Sequence, residues 1–249
     1  MKKIKTIIIG LGDIGLDYDY NLSKNYVLTH SKAINKNNNF KILCGIDKDK
    51  KQILKFSSKY KSPSFNSLSR FYQLNKNKTI DLAVISVPEN YHLITIKEVF
   101  QYYKPKVILC EKPMGTNIAN AKSIVNLCNK NQTKLFVNYT RNVDQNFNYL
   151  IRFCRQNMEG LVRYRKPFLK NASHFLALFR AVFGKISTIK KNEFSDYEVE
   201  ENTNKYVLHK YLYYFKQIII IVTKDGRMFY VGLMFMVISL LLYFIESSK

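Results

Sequence analysis

The sequence predicts an α/β fold, a doubly wound parallel sheet, followed by an incomplete α+β domain with antiparallel strands. Three observations carry this reading. Short β-branched apolar runs recur through residues 1–140, as buried parallel strands do. Amphipathic segments at helical spacing alternate with them, and strand-helix-strand alternation implies a parallel sheet. After Arg141 the texture shifts to longer pieces rich in Tyr and Arg, which divides the chain into domains at 1–140 and 141–249.

The elements follow in order. Ile4 to Ile9 runs straight into Gly10 and reads as the first strand. Phe40 to Ile46 ends in Asp47, Leu82 to Val87 ends at Pro88, and Val107 to Cys110 and Lys134 to Val137 complete five strands. Thr116 to Lys130 reads as a helix whose Ile118, Ala121, Val125 and Cys128 face the sheet while Lys122, Asn126 and Lys130 face water. A second helix is expected over His174 to Phe183. Phe175, Leu178, Phe179 and Val182 form its stripe, Asn171 or Ser173 its cap, and Gly184 its stop. Gln217 to Val231 reads as a hairpin turning at Lys224, Asp225 and Gly226.

Composition narrows the classes. A hydrophobic fraction of 47% and a charged fraction of 23% are those of a globular chain. The net charge of +22 is spread along the sequence rather than gathered into a basic reading head, so nucleic acid is not the expected partner. Cys44, Cys110, Cys128 and Cys154 form no CxxC pair, which suggests neither zinc nor a disulfide framework and fits a cytoplasmic protein. Met228 to Ile245 carries no charge and sits at the lower edge of the roughly 17 to 25 residues needed to cross a bilayer. A membrane anchor stays open there, but a hairpin ending at Val231 would consume its start and is favoured.

The chemistry begins at Gly10-Leu11-Gly12-Asp13-Ile14-Gly15, a GxGxxG sequence directly after the first strand. Missing side chains allow a tight turn and let backbone amides approach a pyrophosphate. Asp47 ends the second strand, where a carboxylate accepts from the adenosine ribose hydroxyls and repels a 2′-phosphate. Together they predict a Rossmann domain preferring NAD, with NADP the lesser alternative. The interval from Gly15 to Asp47 exceeds the usual one of about 20 residues, so Leu16 to Leu28 is read as an insert.

Further residues cluster at strand ends. Ser86, Val87, Pro88 and His92 follow one strand, Glu111, Lys112 and Pro113 the next, and Asn138, Tyr139 and Arg141 the last, while His174, Leu178 and Gly184 form an HxxxLxxxxxG helix. This combination resembles the Gfo/Idh/MocA oxidoreductases, clearly over Lys3 to Arg141 and more thinly to Ile186. The resemblance implies hydride transfer between NAD and a hydroxyl or keto carbon of a sugar, cyclitol or sugar nucleotide. It places Lys112 at the substrate carbinol, His174 as proton relay, and Asn138, Tyr139, Arg141 and Asn171 on the substrate side. It also implies a cis Lys112–Pro113 bond. Gly10, Gly12, Asp13, Ile14, Gly15, Asp47, Ser86, Pro88, His92 and Glu111 are then the cofactor residues. Thr29 and His30 match the family's histidine after the glycine loop, with helix packing under the pyrophosphate as their expected role.

Departures from the family pattern are specific. Lys170 and Ala177 stand where many members carry Asp on either side of the histidine, although an Asn-x-Ser-His sequence like Asn171 to His174 occurs in sugar-modifying branches. The family's second domain is a longer open antiparallel sheet that often makes a dimer, so homo-oligomerisation is left open and a truncated or divergent remnant is expected after Tyr206. Two other readings therefore stand beside the enzyme: a catalytically inactive dinucleotide-binding remnant, and a form tethered to a membrane through Met228 to Ile245.

Overall fold

The computed structural model describes residues 2–140 in full, Ser173, Leu176, Ala177 and Arg180, and the backbone of six strands between Met158 and Leu233. Two compact units emerge, Met1–Asn138 and Tyr139–Lys249.

The first unit is a six-stranded parallel sheet of order β3-β2-β1-β4-β5-β6. Its strands are β1 (Ile4–Ile9), β2 (Phe40–Ile46), β3 (Ser64–Phe65), β4 (Leu82–Ile85), β5 (Val107–Cys110) and β6 (Lys134–Val137). Helices α1 (His30–Lys36) and α2 (Lys50–Tyr60) pack on one face through Ile34 and Phe56, together with Ile8 of β1 and Leu16. Helices α3 (Leu68–Leu74), α4 (His92–Tyr102) and α5 (Ile118–Lys130) cover the other through Phe71, Ile96, Val99, Ile124 and Cys128, against Ile7 and Ile9. Adjacent side chains of β1 thus enter opposite cores, which is why the strand is apolar without alternation. Strand order reverses between β1 and β4, the switch point at which such sheets bind ligands.

Several sequence expectations shift. β4 ends at Ile85, two residues early, because Pro88 leads into a 3-10 turn at Glu89–Tyr91. The short β3 has too few residues to leave a periodic signal. α5 is rotated from the expected stripe: Ile118 is 75% and Val125 38% exposed, while Ile124 and Cys128 are buried with Leu127 packed beside them. At about 100° per residue, Ala121, Ile124, Leu127 and Cys128 share one arc, and Ile118 and Val125 fall at its edge. Cys44, Cys110 and Cys128 are buried free thiols in the core.

The second unit contains a six-stranded sheet of order β12-β11-β7-β10-β9-β8. Its strands are β7 (Met158–Tyr164), β8 (Thr188–Lys191), β9 (Tyr197–Glu201), β10 (Asn204–Lys210), β11 (Gln217–Thr223) and β12 (Met228–Leu233). All pairs are antiparallel except β7 with β10, which run parallel and make the sheet mixed. β11 and β12 form the expected hairpin, Ile220 opposite Tyr230, so the first third of the uncharged Met228 to Ile245 run is strand. No helix among the described residues is long and apolar enough to cross a membrane. Leu176, Ala177 and Arg180 are helical, as expected, and so is Ser173, expected as a cap just outside the helix. Arg141, Asn171, His174 and the turn at Lys224 to Gly226 lie outside the described residues.

Candidate active site

Every described candidate of the first unit lies at the carboxyl ends of its parallel strands. Gly10 leaves β1 with φ +96°, and a Cβ there would stand 2.5 Å from the Ser86 carbonyl carbon. Gly15 lies so close beneath it that a Cβ would meet the Gly10 carbonyl oxygen at 2.1 Å. Gly12 differs: a Cβ would meet nothing within 4 Å. Two glycines are therefore demanded by the fold, and the third borders open space where a ligand can approach the backbone. Asp13–Asp17 forms a π-helical turn, whose first N–H groups have no carbonyl within the turn to receive them. Asp13 is exposed, Ile14 half-buried. These features fit a dinucleotide pyrophosphate.

Neighbouring residues lock the loop. The Ser86 hydroxyl lies 2.8 Å from the Gly10 carbonyl and 3.2 Å from that of Ile9, bridging the switch point. Asp47 accepts the Leu11 N–H at 2.6 Å on one carboxylate oxygen and the Asp49 N–H at 2.8 Å on the other. Each oxygen keeps a lone pair for a ribose hydroxyl. The carboxylate thus also ties the glycine loop to the start of α2, which spacing alone does not reveal.

The insert is well ordered. Asp19, fully buried, accepts from the Leu28 and Thr29 N–H groups at 2.6 and 2.9 Å and from the Thr29 hydroxyl at 2.7 Å. Lys32 donates to the carbonyls of Asp19, Leu22 and Ser23. Lys59 donates to that of Tyr20, with its ammonium 4.2 Å from the Tyr20 ring centre. Asp17 pairs with Lys55 of α2. The effect is to deliver Thr29 and His30 back to the sheet edge after the insert.

Glu111 stands one residue beyond β5 and is buried. Its Oε1 lies 2.7 Å from His30 Nε2 and accepts from the Asn138 side-chain amide at 2.5 Å, and its Oε2 accepts from the Lys112 N–H at 3.3 Å. Burial pushes this carboxyl up, but the His30 and Asn138 hydrogen bonds, the His30 charge and the Lys112 amide outweigh it and hold it below the usual range. The Lys112–Pro113 bond is cis, as the resemblance implies. Lys112 is half-buried. On the other side His92, at the start of α4, sets Nε2 2.8 Å from the Val87 carbonyl and Nδ1 3.1 Å from that of Met114. Pro88 caps the turn that leads to it. The His30 ring, besides opening α1, reaches Glu111, a contact that its place after the glycine loop does not reveal. Asn138 spends its amide there too, and Tyr139 follows it beyond β6. A cleft of about 400 Å³ between the end of α5 and the start of β6 lies at the opposite edge, lined by Val125, Asn129, Gln132, Thr133, Lys134 and Leu135.

A parallel sheet in this order, with a glycine turn at its switch point and an acidic end to β2, defines a Rossmann-type dinucleotide-binding domain. Residues 4–139 match the model of the Gfo/Idh/MocA oxidoreductase family with its NAD-binding Rossmann fold, and the chain belongs to that family. The fold also resembles the WlbA dehydrogenase from Bordetella pertussis, solved with NADH and UDP-GlcNAcA. The two are 18% identical with a TM-score of 0.75, over 99% of this chain and 83% of that one. A myo-inositol dehydrogenase from Corynebacterium glutamicum is 16% identical with a TM-score of 0.69, over 92% and 75%. A putative NADPH-dependent oxidoreductase from Desulfitobacterium hafniense is 13% identical with a TM-score of 0.75, over 94% and 75%. A search of curated proteins found no match.

Proposed function

We propose that the protein transfers a hydride between NAD and a hydroxyl or keto carbon of a sugar, cyclitol or sugar nucleotide, with Lys112 beside the reacting carbon. The observation that supports this is the buried Glu111 carboxylate at the ligand edge of the sheet, hydrogen-bonded to Asn138 and the Lys112 N–H and 2.7 Å from His30, directly beside Lys112. Gly12, Asp13, Ile14 and Gly15 would hold the pyrophosphate through backbone amides, and Asp47 the adenosine ribose. NAD, when bound, supplies the redox step, taking the hydride from the carbinol carbon.

The protein's part is to orient the carbinol and move its proton. Hydride departure draws electron density from the oxygen, so it is assisted by alkoxide character that develops as the hydroxyl proton is withdrawn, and the Lys112 ammonium stabilises that negative charge electrostatically. The hydroxyl proton must leave as well, and a histidine, titrating near neutral pH, suits that relay. His174 is assigned to it from its place in the family pattern, with Asn171, Tyr139 and Arg141 on the substrate side. Structures of relatives holding UDP-GlcNAcA or named for myo-inositol support a polyhydroxylated substrate.

The test follows NADH formation spectrophotometrically with UDP-GlcNAcA, myo-inositol and a panel of sugars and sugar nucleotides. The expected result is turnover of at least one. Lys112→Ala then removes most of it, with NADH affinity nearly unchanged, and His174→Ala lowers turnover and alters its pH dependence. A fully active Lys112→Ala protein contradicts the mechanism.

A further inference from the structure

We propose that His30 is a positioning residue for Lys112: its imidazole donates from Nε2 to the Glu111 carboxylate and thereby fixes the Glu111–Lys112 segment at the end of β5. This rests on the reading of Lys112 as the reactive amine.

Three consecutive side chains in the first turn of α1 each grip a different segment. Thr29 holds Asp19 of the insert through its hydroxyl and N–H, His30 holds Glu111 at 2.7 Å, and Ser31 donates to the Gly15 carbonyl at 2.6 Å. One helical turn therefore anchors both the glycine loop and the Lys112 segment. The His30 and Glu111 side chains are each about nine-tenths buried, so the carboxylate has little water to turn to if the imidazole is lost. A buried carboxylate held below its usual pKa is ionised and accepts only, which requires a proton on His30 Nε2. Without that donor, Glu111 keeps only the Asn138 amide and the Lys112 N–H. It then either takes up a proton or rotates toward solvent, and in both cases the segment carrying Lys112 is released. His92 secures the far side, with its two ring nitrogens directed at the Met114 and Val87 carbonyls.

Two measurements test this without a known substrate. The first uses the unmodified protein, whose four histidines make long-range proton–nitrogen spectra of the imidazole rings tractable. The expected result is a proton on His30 Nε2 throughout the neutral range; a bare Nε2 with the proton on Nδ1 overturns the proposal, whether or not any variant folds. The second compares His30→Leu, which fills the space without donating, with His30→Gln, which retains an N–H donor. Both are labelled with trace acetic anhydride, and Lys112 acetylation is read by peptide mass spectrometry against exposed Lys36 and Lys130 in the same sample. His30→Leu is expected to change the relative rate at Lys112 about threefold or more, the scale of one lost hydrogen bond, while His30→Gln stays near the unmodified protein. An unchanged relative rate in His30→Leu overturns the proposal. These outcomes are separable from the catalytic reading, since an active Lys112→Ala protein would sink that reading and leave the His30 labelling result standing.

Discussion

Gly10, Gly12 and Gly15 look equivalent in sequence and do different work. Gly15→Ala drives a Cβ into the Gly10 carbonyl, backbone against backbone, so it is expected to cost at least the ~1–3 kcal/mol typical of overpacking and to lower the urea midpoint. Gly12→Val enters open space, so it should leave the midpoint nearly unchanged and abolish NADH binding, seen as loss of the nicotinamide fluorescence response. A Gly12→Val protein that binds NADH normally would remove the pyrophosphate from this loop. The glycine pattern and the acidic end of β2 are legible because they are local. The His30–Glu111 pair is not, because the two lie 81 residues apart and the insert displaces His30 from its usual spacing. Asp47 shows the same limit: its position after β2 is readable, but its grip on the Leu11 N–H exists only once β1 and β2 are paired.

At the scale of elements, short apolar runs bounded by turn or polar residues announce themselves as strands, and β1, β2, β5 and β6 fall at their expected bounds; burial on both faces explains this for the central β1, while β6 is a largely exposed edge strand. Helix faces are harder to read. In α5 the apolar residues Ile118 and Val125 stay exposed, and only the packed sheet selects Ile124 and Cys128 as the buried pair. The cap of α5 is a local device: the Asn117 side chain accepts the Asn120 N–H at 2.8 Å, and Asn117→Ala is expected to cost about 1 kcal/mol. A larger loss is expected in α2. The Phe56 ring lies against Gly45 of β2, where a Cβ would be 2.8 Å from it, and Phe56→Ala should cost about 3–5 kcal/mol. Chemical denaturation followed by circular dichroism ranks the two, and an equal cost would mean that Phe56 is not a core anchor.

At the scale of the molecule, the charged network at the ligand edge sets part of the acid sensitivity. Glu111 has its carboxyl lowered from the ordinary carboxylate value when folded, by the His30 and Asn138 hydrogen bonds that outweigh its burial. Such a group contributes stability that is fully present above the unfolded value and is lost as pH falls through the folded one. Asp81, at the other edge, is depressed by the Lys106 side chain and the Lys5 N–H and acts with the same sign. Glu111→Gln should therefore be less stable near neutrality and lose less of its stability between neutral and acid pH. Urea midpoints measured across that range check this, and parallel curves for the two proteins would mean that Glu111 is not linked to folding.

The carboxyl edge of the parallel sheet is expected to hold NAD through the glycine loop and Asp47. The most direct measurement is titration of the unmodified protein with NADH and with NADPH, followed by nicotinamide fluorescence at fixed ionic strength. Saturable binding of both at one site is expected, with NADH the tighter, because a carboxylate at Asp47 would accept ribose hydroxyls and repel a 2′-phosphate. NADPH binding as tightly as NADH, or neither binding at all, would contradict it.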